Sequence, residues 1–109
     1  MADWQTLTDK LKTFAQERDW AQFHNAKDLA LALSIEASEL NELFLWKNAE
    51  DADVEKLKDE LADVFAYALQ LAAKYQFDVN EIVLEKIEKN AQKYPANKAK
   101  GNARKYDEL

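Results

Sequence analysis

Apolar residues recur at helical spacing along most of the chain, and this pattern predicts four helices. In the first helix, Leu7, Leu11, Phe14 and Ala15 follow the spacing of an amphipathic face. The first predicted helix covers residues 4–18, and the second covers residues 26–46 with Asn25 as its cap. The third runs from Asp51 or Asp53 to about Tyr75. The fourth begins at Asn80 and ends at Tyr94, in front of Pro95.

The second and third predicted helices carry apolar residues around much of their circumference. Leu31 and Ile35, for example, lie well away from the face that contains Leu29. A chain of 109 residues has too few other segments to cover so much apolar surface by itself. The sequence therefore predicts an all-α fold, a four-helix bundle that is completed by oligomerisation.

Two pairs of carboxylates interrupt these apolar faces, Glu36 with Glu39 and Glu60 with Asp63. Glu36 falls about 20° from Leu29 around the helix, and residues three apart share a helix face. Buried carboxylates repel one another and are costly without a counter-charge. A divalent cation would neutralise them, and oxygen-only ligands of this kind suit Mg²⁺ or Mn²⁺.

A metal site is not the only structure in which such carboxylate pairs occur. A solvated helix face accounts well for one pair, but less well for two pairs on neighbouring apolar faces. A di-iron bundle needs two Glu-x-x-His motifs, and the one histidine, His24, lies outside both helices. Glu42 extends the first pair by three residues but drifts off the apolar face, so its part in a metal site stays open.

Composition and charge exclude several classes of protein. One Gly and one Pro disfavour a sheet, and the absence of Cys excludes disulfides and thiolate catalysis. The net charge of −6 disfavours long nucleic acid as a partner, although residues 95–109 hold four Lys or Arg against two Asp or Glu. No signal peptide or membrane-spanning run is evident, so a cytoplasmic protein without membrane contact is expected.

Aromatic side chains flank the second predicted helix. Trp20 and Phe23 precede it, Trp46 closes it, and Tyr67 lies one turn beyond the second carboxylate pair. Such rings pack in cores and interfaces, and they also stack on nucleobases. His24 adjoins this cluster and is either a capping residue or a contact to a base or phosphate.

Four runs of sequence carry a family resemblance: WAQFHNAKDLALALSIEASELNELFLW, DELADVFAYAL, KIEKNAQKYP and KGNARKYDEL. In this order, and with the two carboxylate pairs, they closely resemble the MazG-like all-α nucleotide pyrophosphohydrolases, and among them the dCTP pyrophosphatase-like subgroup. The resemblance covers about residues 10–109. It implies Mg²⁺-dependent cleavage of nucleoside triphosphates, dNTPs such as dCTP among them, to the monophosphate and pyrophosphate, as part of nucleotide-pool house-cleaning.

The resemblance also implies a site, an architecture and partners. Residues 1–94 would form the helical pyrophosphohydrolase domain, the basic tail 95–109 would contribute to the substrate site, and the chain would form a homodimer or, by resemblance to the subgroup, a homotetramer. The implied metal ligands and catalytic residues are Glu36, Glu39, Glu60 and Asp63. The implied base pocket is Trp20, His24, Trp46 and Tyr67, and the implied polyphosphate contacts are Lys27, Asn90, Lys93, Arg104, Lys105 and Tyr106.

Two alternatives to this function remain open at the level of sequence. One is a non-catalytic, oligomeric helical protein whose acidic faces bind a basic partner, for which neither metal nor nucleotide should change the melting temperature. The other is a pyrophosphohydrolase that acts on modified nucleotides. The sequence determines neither the preferred base nor which carboxylate serves as general base.

Overall fold

The computed structural model describes residues 3–108, apart from the side chain of Tyr106. Every regular element among these residues is helical. The predicted all-α fold is therefore confirmed. Tyr106 is one of the implied polyphosphate contacts, and its side chain lies outside the described part of the structure. The helices are α1 (Trp4–Glu17), α2 (Ala26–Glu42), α3 (Val54–Lys74), α4 (Val79–Lys93) and α5 (Ala96–Ala99), with 3-10 turns at Ala21–Phe23, Ala49–Asp51 and Tyr106–Glu108.

An acidic or amide side chain caps the start of each of the four long helices. The Asn25 carboxamide accepts from the N–H of Asp28, as predicted, and Asp53 likewise caps α3. The fourth helix begins one residue before Asn80, because Asp78 accepts from the N–H of Glu81 and acts as its cap. The remaining cap is Asp3, which accepts from the N–H of Thr6.

The ends of the helices differ more from the predictions. The fourth helix stops at Lys93 with Tyr94 as its cap, in front of Pro95, as expected. The apolar pattern predicts that the second helix reaches Trp46, but it ends at Glu42 and is followed by turns in which Trp46 has a positive φ of 61°. The short helix α5 is not predicted by the pattern.

The described residues divide into two compact units, the first ending at Phe77 and the second beginning at Asp78. In the first unit α2 and α3 pack along each other, and α1 packs on α3. Residues 43–53 connect α2 and α3 through successive turns, and α2 and α3 are antiparallel neighbours. The small core of this unit is formed by Ala15, Leu29, Leu69 and Ala72, together with Thr8, whose hydroxyl donates to the Trp4 carbonyl at 2.7 Å.

Large apolar side chains cover much of the outside of the lone chain. On α2, Leu31 is 55% exposed and Ile35 is 59% exposed. In the second unit, Leu84 and Ile87 on α4 are also largely exposed. The predicted surplus of apolar surface is therefore present, while the oligomer that would cover it stays a prediction.

No helix among residues 3–108 combines the length and the hydropathy that crossing a membrane requires.

Candidate functional site

Three of the four predicted carboxylates meet between α2 and α3. Glu36 comes from α2, and Glu60 and Asp63 come from successive turns of α3. One oxygen of each carboxylate lies within 4.8 Å of an oxygen of each of the other two. The spacing of three residues on α3 places its two carboxylates on one face, and the antiparallel packing brings Glu36 opposite them.

Two of these carboxylates have an oxygen that is buried and unpaired. Oε2 of Glu36 and Oε2 of Glu60 are both shielded from solvent, and no residue between positions 3 and 108 gives either of them a hydrogen bond. Nearly all buried polar atoms in proteins have a partner, and leaving one without costs free energy. A pair of unpaired acidic oxygens at one point between two helices is therefore the kind of environment that a positively charged ligand suits.

The electrostatics of the cluster are those of carboxylates crowded together. Burial, followed by the neighbouring Glu39 and then Asp63, raises the pKa of Glu36 from 4.5 to about 7. Burial and the negative charge of Glu39 also raise the pKa of Glu60, an effect that the Glu36 carboxyl partly offsets. Glu39 is exposed and lies outside the tight group of three, yet it is close enough to act on both neighbours.

Tyr67 lies one turn beyond Asp63 and faces the same cluster. Its pKa is raised, first by burial and then by the negative charges of Glu36, Asp63 and Glu39. The ring is half-buried, so that it forms a wall beside the carboxylates. This placement agrees with the predicted position of Tyr67 one turn beyond the second carboxylate pair.

These residues fit a divalent cation. Carboxylate oxygens are hard ligands, and the cations that prefer them are those bound through oxygen alone. A cation of charge +2 would satisfy both unpaired oxygens and offset the mutual repulsion of Glu36, Glu60 and Asp63. Within residues 3–77, no Lys or Arg forms an ion pair with these three carboxylates.

Trp46 is the most exposed of the large apolar side chains, at 93%. Its backbone is in the left-handed region, with φ of 61°, in the turn that follows α2. For a residue with a bulky side chain this conformation costs about 1 kcal/mol or more. The chain therefore bears both a strained backbone and an exposed indole at this position, in a turn that the hydrogen bond from the Lys47 N–H to the Phe44 carbonyl holds at 3.1 Å.

Two other predicted ligand contacts, His24 and Lys27, lie at the far end of α2. His24 borders a cavity of about 320 Å³, whose floor includes Leu29. Seven residues separate Leu29 from Glu36, which corresponds to about 10 Å along the helix. Lys27 makes a weak, exposed ion pair with Asp28 at 3.9 Å. Their contacts with base and phosphate stay predictions.

The remaining predicted contacts belong to the second unit. Asn90 lines a groove on α4 together with Ile82, Val83 and Ile87, and it is exposed there, although its place on an apolar face suggests burial. The C-terminal positions Lys93, Arg104 and Lys105 are likewise exposed. The contribution of this unit to the substrate site stays a prediction.

Sequence reasoning missed two residues that support Trp20. The ring of Phe14 lies 5.8 Å from the indole, centroid to centroid, and the Arg18 guanidinium lies 3.6 Å from the centroid of Phe14. The helical spacing places Phe14 on the apolar face of α1 together with Ala15. In the structure Ala15 is buried and Phe14 is 47% exposed, and the spacing alone does not distinguish these two outcomes.

Comparison of the sequence with models of protein families gives a match that includes the carboxylate cluster. The sequence model described as the MazG-like family matches residues 31–109. The matched range contains all four predicted carboxylates, Trp46 and Tyr67.

Individual relatives agree with that match. The chain is 42% identical to human dCTP pyrophosphatase 1 and 40% identical to the mouse protein of the same name, over 88% of its own length in both cases. It spans only 61% of the length of each of these relatives. It also resembles the crystal structure of a pyrophosphatase from Archaeoglobus fulgidus DSM 4304, with a TM-score of 0.75 and 37% identity over 84% of this chain and 91% of that one.

The raised pKa of Glu36 leads to a prediction about the metal-free protein. Its value of about 7 lies above the ordinary 4.5, so the folded state holds this proton more tightly than the unfolded state does. The stability that comes from the protonated carboxyl is complete below about pH 4.5 and is lost as the pH rises through about 7. In EDTA at pH 8, Glu36→Gln should therefore raise the melting temperature by a few degrees, and at pH 4 the difference should nearly vanish.

Thermal unfolding followed by circular dichroism across this pH range measures the effect. Glu55→Gln, at an exposed position in the first turn of α3, is the control and should follow the wild type at each pH. A wild type that is as stable as Glu36→Gln at pH 8 without metal would mean that Glu36 is not crowded by its neighbours.

Proposed function

The chain belongs to the MazG-like family, and from that premise we propose that it is a Mg²⁺-dependent nucleoside triphosphate pyrophosphohydrolase. Its proposed substrates are dNTPs such as dCTP, which it would cleave to the monophosphate and pyrophosphate. The names of the similar proteins, dCTP pyrophosphatase and pyrophosphatase, support this class of reaction. The observation that carries the proposal is the pair of unpaired buried oxygens, on Glu36 and Glu60, beside Asp63.

Four carboxylates are the proposed ligands and catalytic residues: Glu36, Glu39, Glu60 and Asp63. When bound, Mg²⁺ supplies the positive charge that joins these carboxylates to the triphosphate, and it polarises the α-phosphorus. Mn²⁺ has the same preference for oxygen and could replace it. The site without metal would repel a substrate that carries about four negative charges.

Water is the proposed nucleophile, since the chain has no Cys and no Ser belongs to the carboxylate cluster. It attacks the α-phosphorus, the bond to the bridging oxygen of the β-phosphate breaks, and pyrophosphate leaves with that oxygen. A general base must accept the proton of the water. We assign this to Glu39, because it is exposed and lies outside the tight group of three carboxylates.

Aromatic rings are the proposed contacts for the base. Tyr67 stands beside the carboxylates, and Trp20 and Trp46 each expose indole surface. Stacking on rings tolerates any base, so this feature supports binding of a nucleobase without naming one. The strained backbone and full exposure of Trp46 support a role for it in binding, because residues held in such conformations are concentrated at functional sites.

Cationic and amide side chains are the proposed contacts for the phosphates that leave. Positive charges on the protein offset the negative charges of pyrophosphate as it departs. The proposed set is Lys27, Asn90, Lys93, Arg104, Lys105 and Tyr106, with His24 contacting base or phosphate.

A homo-oligomer, either a dimer or a tetramer, is the proposed working form. Leu31, Ser34, Ile35 and Ser38 form a stripe along α2 that is largely exposed. The Ser38 hydroxyl donates to the carbonyl of Ser34 at 3.0 Å, within the helix, so that this hydroxyl has a partner before another subunit arrives. Such a face can pack against a second copy without leaving that donor unsatisfied.

The reaction products give the first test of the proposed function. With Mg²⁺ and a panel of ordinary and modified dNTPs, the protein should release pyrophosphate and monophosphate in equal amounts. Glu36→Gln and Asp63→Asn should reduce turnover at least about a thousandfold, because each removes a ligand charge that the reaction requires, while circular dichroism should remain that of a helical fold. Glu55→Gln, at an exposed position of α3, is the control and should keep wild-type turnover.

Release of inorganic phosphate and dNDP would indicate attack at another phosphorus. Full activity in EDTA would refute the metal assignment. If neither Mg²⁺ nor any nucleotide changes the melting temperature, the chain is better described as a non-catalytic helical protein that binds a basic partner.

A second test concerns Trp46. Stacking is worth roughly 1–3 kcal/mol per base, so Trp46→Ala should raise KM about ten- to a hundredfold and change kcat much less. Trp4→Phe is the matched control, since Trp4 stacks on Phe65 at 5.7 Å and is not proposed to touch the nucleotide. Steady-state kinetics of both variants separate the two parameters, and an unchanged KM in Trp46→Ala would assign this indole to packing between subunits.

A third test concerns assembly. Light scattering of the wild type should give the mass of a dimer or a tetramer. Ile35→Asp, in the middle of the exposed stripe, should shift the mass towards the monomer because a charge cannot be buried at an apolar interface, whereas Lys58→Asp, at an exposed position of α3, should not. A wild type that is monomeric and fully active would contradict the proposal.

A further inference from the structure

The end of α1 holds the backbone of Trp20 from both sides. The Trp20 N–H donates to the Ala15 carbonyl at 2.8 Å, and the Asp19 N–H donates to that of Gln16 at 3.1 Å. Asp19 has a φ of 56°, as the Schellman ending of a helix requires. Beyond it, the Phe23 N–H donates to the Trp20 carbonyl at 2.9 Å. The position of the Trp20 backbone is therefore closely determined.

Phe14 then determines where the indole of Trp20 points. The two rings are 5.8 Å apart and inclined at 69°, an edge-to-face contact. Schellman endings commonly include an apolar contact of this kind. Here the contact leaves 46% of Trp20 exposed, so that the indole is fixed in direction and still offers surface for another ring.

Arg18 fixes Phe14 in turn. Its guanidinium carbon lies 3.6 Å from the centroid of the Phe14 ring, and its Nη1 donates to the Phe14 carbonyl at 3.0 Å. A cation over a ring face is attracted by the π electrons. Arg18, Phe14 and Trp20 therefore form one row, which we call the aromatic row, in which each member holds the next.

We propose that Phe14, backed by Arg18, is a positioning residue that holds the indole of Trp20 ready to stack on the nucleobase. The inference rests on the proposed function, in which Trp20 belongs to the base pocket. A ring that is oriented before binding loses less conformational entropy when the ligand arrives. The aromatic row therefore acts on nucleotide affinity and leaves the chemistry at the α-phosphorus unchanged.

The end of α3 provides a matched control for this row. The Phe77 N–H donates to the Ala72 carbonyl at 3.0 Å, and Gln76 has a φ of 57°, so the backbone motif is the same. Tyr75 and Phe77 form an aromatic pair there, with ring centroids 5.4 Å apart. This pair includes no tryptophan and no residue of the proposed site.

Steady-state kinetics of Phe14→Leu provide the main test. The substitution keeps an apolar side chain and removes the ring, and it should raise KM about two- to tenfold with little change in kcat. Phe14→Tyr, which keeps the ring, should restore the wild-type KM. Arg18→Gln alters only an exposed side chain and should raise KM in the same direction by a smaller factor. Phe77→Leu should leave both parameters unchanged.

A double-mutant cycle with Trp20→Ala distinguishes positioning from direct contact. If Phe14 acts through Trp20, then Phe14→Leu should have no further effect on KM once the indole is gone. An equal rise in KM with and without Trp20 overturns the proposal, because Phe14 would then act on the nucleotide directly or through the fold.

A readout without turnover separates this inference from the proposed function. The indole N–H signal of Trp20 in the NMR spectrum should shift or broaden in Phe14→Leu and stay in place in Phe77→Leu. An unchanged signal, or an unchanged KM in Phe14→Leu of an active protein, overturns this inference alone. A wild type that releases no pyrophosphate from any nucleotide overturns the proposed function, and this inference with it.

Discussion

Two buried carboxylate oxygens, one from Glu36 on α2 and one from Glu60 on α3, are the constraint on which the structure depends. Glu36 and Glu60 occupy positions on helix faces where apolar side chains would pack better, and an oxygen of each is left without a partner. A folded protein of this size has only about 5–15 kcal/mol of net stability. Such a cost is tolerated where a ligand removes it, so the feature that weakens the helix pair by itself would be offset by the proposed cation.

The sequence predicted this centre because helical periodicity determines it almost completely. Residues three apart lie on one face whatever surrounds the helix, and each pair lies on the apolar face by which its helix is expected to pack. Glu36, Glu60 and Asp63 could therefore be brought together without knowledge of any contact. The caps at Asn25 and Asp53 were predictable for a similar reason, since a cap depends on a local hydrogen bond that the residue itself supplies.

Features that depend on competition between neighbours were not predictable. The apolar run Leu43, Phe44 and Leu45 continues the pattern of α2 without Gly or Pro, so nothing in the sequence indicated that the helix ends at Glu42. Asp78 and Asn80 are both good caps, and Asp78 prevails. The exposure of Phe14 beside buried Ala15 depends on how α1 is rotated against α3, which a periodic pattern leaves undetermined within one residue.

The turn at Trp46 implies a conflict between stability and function at a single position. Glycine or asparagine would adopt its positive φ at lower cost, and either would remove the indole from water. Selection for thermal tolerance alone would therefore favour the loss of this tryptophan. Under the proposed function the same substitution would weaken nucleotide binding, so that Trp46 would limit the stability of this helical unit.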